Sequence, residues 1–113
     1  MNQPQDTILQ FSQEFKLTEQ DVVDSLTKET SWESRYRAIM LLGKKLPLLD
    51  DKLKLDSSLV QGCESKVWLN YIWQEEHLHL AASSDAKIVK GLVTIVLAVF
   101  NKKTKALGTN HYL

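Results

Sequence analysis

Val67-Trp68-Leu69-Asn70-Tyr71-Ile72-Trp73, then Gln74-Glu75-Glu76, then His77-Leu78-His79-Leu80-Ala81 is the stretch that decides the fold. The first seven residues are β-branched, aromatic or strand-compatible, with Val67, Leu69, Tyr71 and Trp73 alternating with Trp68, Asn70 and Ile72, so both faces are largely apolar. Such a strand is covered by helices on one face and partly on the other. The second run alternates polar and apolar, a half-buried return strand. Gln74-Glu75-Glu76 joins them as a hairpin turn, although it lacks the Asn-Gly type of dipeptide that two-residue turns favour.

Upstream lies Gln61-Gly62-Cys63-Glu64-Ser65-Lys66, with the chain's single cysteine. Gly62 admits backbone angles closed to other residues, so Cys63 sits on a loop displayed by the strand that follows, a common placement for a reactive group. A lone cysteine is also among the most buried residue types, and on composition alone a small core hydrophobe is favoured over a nucleophile. Its place after a glycine, outside any apolar stripe, narrows that gap. One cysteine excludes an internal disulfide framework and suits a reducing compartment.

Downstream, Ser83 or Ser84 is expected to cap a long helix, with Asp85 in its first turn favoured by the helix dipole. From Ile88 to Phe100 this helix is apolar nearly all round, the pattern of a buried central helix. Gly91 inside it implies a close backbone approach, and Asn101-Lys102-Lys103 ends it. On the N-terminal side, residues 1–17 are polar with an apolar cluster at Ile8, Leu9, Phe11 and Phe15, read as a loosely docked arm. Thr18 and Asp21 open a short helix with Val22, Val23 and Leu26 on its apolar side. Thr30 and Glu33 form a capping box for a second helix. Trp32, Tyr36, Ile39, Met40 and Gly43 make its core stripe, and Pro47 its end. Residues 48–58 form a polar connector with one helical turn. The fold class is α+β: helices, a small antiparallel sheet, then a buried helix.

The 113 residues make one domain: 1–17 the arm, 18–104 the core and 105–113 a tail without periodicity. Formal net charge is zero, so nothing global points to nucleic acid or a membrane. No basic-then-apolar N-terminal signal stands out, and Leu92 to Phe100 is too short to span a bilayer. A cytoplasmic location is expected. Trp68, Tyr71 and Trp73 lack the interleaved basic residues of a base-stacking surface. His77 and His79 share a strand face and could join Cys63 on a metal, but a closed zinc site wants four ligands. No metal or cofactor is expected.

Four fragments then occur in order: Trp32-Glu33 with Arg35-Tyr36; Leu41-Leu42-Gly43-Lys44 with Leu46-Pro47; Gly62-Cys63 with Val67-Trp68; and Ser84-Asp85-Ala86 with Ile88-Val89-Lys90-Gly91-Leu92. Together they resemble the SufE/CsdE family of cysteine-desulfurase sulfur acceptors, from about Glu19 to Thr104. The resemblance implies a SufE/IscU-like fold and places Cys63 at the family's persulfide position. It implies two partners: a pyridoxal-phosphate-dependent cysteine desulfurase that donates sulfur, and a downstream scaffold that receives it in iron–sulfur cluster assembly or related sulfur transfer. Such a protein is a carrier and activator, not an enzyme with its own turnover. Gln61, Gly62, Glu64, Ser65, Lys66, Ser84 and Asp85 surround that position and are the expected docking residues. The connector 48–58 and the start of the 84–100 helix extend that surface. Residues 105–113 are expected to fall outside the family likeness, and with them an exposed apolar patch on the long helix is expected, hence marginal stability or self-association. A binding-only module that docks on a desulfurase without carrying sulfur is the alternative. An iron–sulfur scaffold is disfavoured, since one cysteine cannot hold a cluster alone.

Overall fold

The computed structural model describes residues 4–62 and 64–104. Its elements in order are α1 (Pro4–Glu14), α2 (Glu19–Thr27), α3 (Trp32–Gly43), two single 3-10 turns (Asp51–Leu53 and Asp56–Ser58), β1 (Val67–Gln74), β2 (His77–Ser84) and α4 (Lys87–Phe100). The fold is α+β, as expected. The hairpin is antiparallel, with Val67 opposite Ser84 and Gln74 opposite His77. Glu75 and Glu76 both take positive φ, 53° and 66°, the backbone of the turn whose twist matches that of paired strands. Two glutamates thus do what Asn-Gly does with less strain.

The hairpin is filled from β2 outward. Leu80, Ala81 and Ala82 are buried, and α1 and α4 both pack on β2. On β1, Trp68, Asn70 and Ile72 are half-buried while Leu69, Tyr71 and Trp73 are exposed. One face of β1 is therefore covered and the other open to solvent.

The N-terminal segment is not a loosely docked arm. Residues 4–14 are helical, and Ile8, Phe11 and Phe15 lie in the main core with Leu42, Leu53 and Leu97. Their spacing of three and four residues is one helix stripe, which the polar flanks obscure. A polar network anchors that helix. Ser12 is fully buried, and its hydroxyl donates to Asn101 Oδ1 at 2.9 Å. The same Oδ1 accepts the Leu80 N–H at 2.9 Å, standing in for a neighbouring strand's carbonyl. Asn101 Nδ2 donates to the Ser12 carbonyl (3.1 Å), and Lys102 Nζ to the Phe15 carbonyl (3.2 Å), so two carbonyls at the end of α1 gain partners. Asn101 is thus more than a helix end. It joins α1, β2 and α4. Asn101→Ala would orphan the buried Leu80 N–H and the Ser12 carbonyl, at about 1–3 kcal/mol per group, and leave the Ser12 hydroxyl with His79 alone. A loss of roughly 3 kcal/mol is expected, read as a lower urea midpoint at unchanged slope.

His79 Nδ1 lies 2.8 Å from the Ser12 hydroxyl. Because that hydroxyl's one proton goes to Asn101, Nδ1 carries the proton and donates to Ser12 Oγ. Burial, then the nearby charges of His77 and Lys102, lower the His79 pKa below its usual 6.5. The unfolded chain therefore binds the proton more readily than the folded one. Stability should be full above about pH 6.5 and should decline as the pH falls below that value toward the folded pKa. Melting temperatures at pH 7.5 and 5.5, with His79→Gln as the flattened control, measure it.

The helices depart from expectation in phase more than in place. Thr18 caps α2, with Asp21 completing the box as read from sequence. Their mutual hydrogen bonds hold the Asp21 carboxyl below its usual range. For α3 the cap is Ser31, not Thr30, and its reciprocal partner is Ser34, not Glu33. Trp32 and Tyr36 face solvent at 76% and 42% exposure, while Ala38, Leu42 and Gly43 are buried. The inward face is decided by α4: a Cβ on Gly91 would strike the Ile39 carbonyl, and one on Gly43 would come within 2.9 Å of the Gly91 nitrogen. Pro47 does not end α3. The helix stops at Gly43, and tighter bonds from Lys44, Lys45 and Leu46 close its last turn.

Neither Ser83 nor Ser84 caps α4. Both lie in β2, and α4 begins after Ala86 with no side-chain cap and no acid in its first turn. Nor is α4 buried all round. Gly91, Thr94, Leu97 and Ala98 face inward, and Leu92 and Val96 are exposed at 47% and 48%. An apolar stripe on this helix is thus open among the described residues. The tail 105–113 lies outside them.

Candidate functional site

The loop that holds the cysteine is built from both ends. On its N-terminal side the 3-10 turn Asp56–Ser58 leads into Leu59, which bridges to Trp68, and the Val60 N–H donates to the Val67 carbonyl at 2.9 Å. Asn70 holds the connector in place: its Oδ1 accepts from Ser58 Oγ at 2.7 Å and its Nδ2 donates to the Leu53 carbonyl at 3.1 Å. Lys54 Nζ lies 5.6 Å from the Trp68 ring centre, a cation–π contact on the same side.

On the C-terminal side the loop is tied at Lys66. Its N–H donates to Asp85 Oδ1 at 3.1 Å, and its carbonyl accepts the Ser84 hydroxyl at 2.7 Å and the Asp85 N–H at 3.3 Å. Ser84 Oγ also accepts the Ala86 N–H at 3.3 Å. Ser84 and Asp85, expected at the cap and first turn of a helix, instead brace the loop. The reason is register: with Val67 opposite Ser84, the residues just beyond the strand ends face each other.

Between these ties Gln61, Gly62 and Glu64 are exposed and Ser65 is half-buried. Gly62 has φ +84° with nothing within 4 Å of a would-be Cβ, so backbone conformation rather than crowding demands glycine there. Cys63 itself lies outside the described residues. The structure thus brings Lys66, Ser84 and Asp85 together, and sets the connector against the strand that supports the loop. Asp85→Ala removes the acceptor of the Lys66 N–H, a bond worth about 0.5–1.5 kcal/mol. Faster amide exchange at residues 64–66, with the core amides unchanged, is the expected result.

The histidines are engaged elsewhere: His79 with Ser12, and His77 Nδ1 at 2.9 Å from the Glu75 carbonyl oxygen. No group of three His, Cys, Asp or Glu suited to a metal occurs among the described residues. No described helix is long and apolar enough to cross a membrane.

A small α+β domain that presents one braced, cysteine-bearing loop at the mouth of a β-hairpin is the class defined by this fold and sequence. Residues 20–107 match the SufE family model, described as an Fe-S metabolism associated domain, so the match runs into the segment expected to fall outside it, and the chain belongs to that family. It is 41% identical over 78 residues to the sulfur acceptor protein CsdE of Escherichia coli, an alignment covering 68% of this chain and 53% of that protein. Over 86 residues it is 40% identical to an uncharacterised SufE-like protein of Rhizobium meliloti and 38% identical to one of Rhizobium etli. Those alignments cover 73% of this chain and 61% and 58% of the two relatives. The chain therefore spans between about half and three fifths of these relatives' length.

Proposed function

We propose that this chain is a sulfur acceptor for a pyridoxal-phosphate-dependent cysteine desulfurase, with Cys63 as the accepting residue. The observation that carries the reading is the loop between Val60 and Lys66, braced at both of those residues and exposed at Gln61, Gly62 and Glu64, in a SufE-family chain whose sequence has its only cysteine at position 63. Likeness to a protein named a sulfur acceptor supports it. The pyridoxal phosphate belongs to the desulfurase.

The step is a displacement at sulfur. The Cys63 thiolate attacks the outer sulfur of the donor's persulfide, the donor's S–S bond breaks, and the donor leaves as a thiolate. A new S–S bond forms on Cys63, which then hands the outer sulfur to a second thiolate on a downstream scaffold by the same chemistry. Oxidation states are conserved over each exchange, so no external oxidant is needed. An ordinary thiol is only a few per cent ionised at neutral pH, so cationic or dipolar help at the docked interface is part of the reading. Lys66 is the nearest cation in sequence. Gln61, Gly62, Glu64, Ser65, Lys66, Ser84 and Asp85 form the rim a desulfurase would contact, and the single thiol suits a reducing cytoplasm.

Incubation with a cysteine desulfurase and free cysteine, followed by intact mass under non-reducing conditions, tests this. Gain of one sulfur atom, removed by a thiol reductant, is expected. Binding to the desulfurase without any gain would instead make the chain a docking module.

A further inference from the structure

We infer that the cleft between α3 and α4 is a docking site for an acidic, amphipathic helical segment of a partner protein. A cavity of about 470 Å³ opens there, lined by Met40, Leu41 and Gly43 together with Arg37, Lys44, Lys87 and Lys90, with no acid among its lining residues. Leu41 is 51% exposed. None of the four cations makes an ion pair among the described residues.

Two of the lysines stand where helix physics disfavours them. Lys87 and Lys90 occupy the first turn of α4, which has no side-chain cap and no acid, so their charges oppose the helix dipole. A local rule broken without a local gain is expected at a binding surface. The arrangement also selects the ligand. Arg37, Met40 and Leu41 follow one another at helical spacing on one stripe of α3, with Lys44 at its C-cap, over about 10 Å. The positive charge is therefore spread along a groove beside the apolar Met40 and Leu41, not converged on a point as a phosphate would need. Carboxylates in a row on a helix, with leucine-like side chains between them, match both features. Lys87, at the α4 end of the groove, lies two residues along the chain from Asp85, whose carboxylate accepts the Lys66 N–H.

A fluorescein-labelled helical peptide with glutamates at i, i+4 spacing and leucines between them serves as the probe, followed by anisotropy with the full chain. Lys87→Glu/Lys90→Glu should weaken binding by about tenfold or more. Lys28→Glu/Lys52→Glu, with the same charge change elsewhere, should weaken it far less. Leu41→Asp should also weaken it, and Cys63→Ser should leave it unchanged. Because acids suit a helix start, the Lys87/Lys90 variant should melt no lower than the parent, which separates lost docking from unfolding. Equal weakening in the control pair, an unaffected Leu41→Asp, or equal binding of a lysine-for-glutamate peptide would overturn the inference. Displacement of the peptide by inorganic pyrophosphate at constant ionic strength would also overturn it, in favour of a small-anion site.

Discussion

Cys63→Ser is expected to abolish sulfur loading outright while leaving the thermal melt unchanged. The nucleophile in sulfur exchange is a thiolate, and a serine hydroxyl is not ionised near neutral pH, so no fraction of the variant is competent. The structural cost should be small, because Gly62 and Glu64 on either side are exposed and the loop's ties are made by Val60, Lys66, Ser84 and Asp85. Intact mass with a cysteine desulfurase reads the chemistry, and calorimetry reads the fold. A variant that still gains a reductant-labile sulfur would remove Cys63 from the mechanism. One that loses loading together with its cooperative melt would give the cysteine a structural role instead.

Gly91→Ala is expected to destabilise the domain despite improving the intrinsic propensity of α4. Two effects oppose each other. Alanine in a helix interior gains about 1 kcal/mol over glycine. Against this, the new methyl group would meet the Ile39 carbonyl and the Ile39 side chain at the α3–α4 crossing. Main chain cannot swing aside as a flexible side chain can, so the overpacking cost belongs near the upper end of its range, about 3 kcal/mol. The crossing wins by about 2 kcal/mol, a fall in melting temperature of roughly 10 °C for a domain of this size. A melt unchanged or raised would mean that the two helices separate freely at this point.

Several features were legible along the chain because they depend on neighbours in sequence. The hairpin follows from alternation on both sides of Gln74-Glu75-Glu76. The α2 cap follows from Thr18 and Asp21, three residues apart. The close approach at Gly91 was readable because a glycine inside a strongly apolar helix has few other reasons to be there. The prominence of Cys63 also needs only sequence: it is single, follows a glycine and precedes a strand. The misjudged features depend on what the residues meet in space. Ile8, Phe11 and Phe15 read as an arm until Asn101 and Lys102, far along the chain, supply partners for the carbonyls at the end of α1. Trp32 and Tyr36 had the right spacing for a core stripe, but the glycine crossing turns the Ala38 and Leu42 side of α3 inward.

The sequence by itself determined the α+β class, the hairpin and the presence of helices α2, α3 and α4, since each is encoded in local periodicity or turn chemistry, and it made Cys63 stand out as a single cysteine after a glycine. Only the tertiary structure decided which helix faces are buried, that Asn101 completes a network across α1 and β2, and that four cations gather beside Met40 and Leu41. It also decided that Ser84 and Asp85 brace a loop rather than cap a helix. That last choice turns on the pairing register of β1 with β2, which sets Lys66 against Asp85, nineteen residues away in the chain. A cap and a brace use the same serine and aspartate; register across the hairpin decides between them.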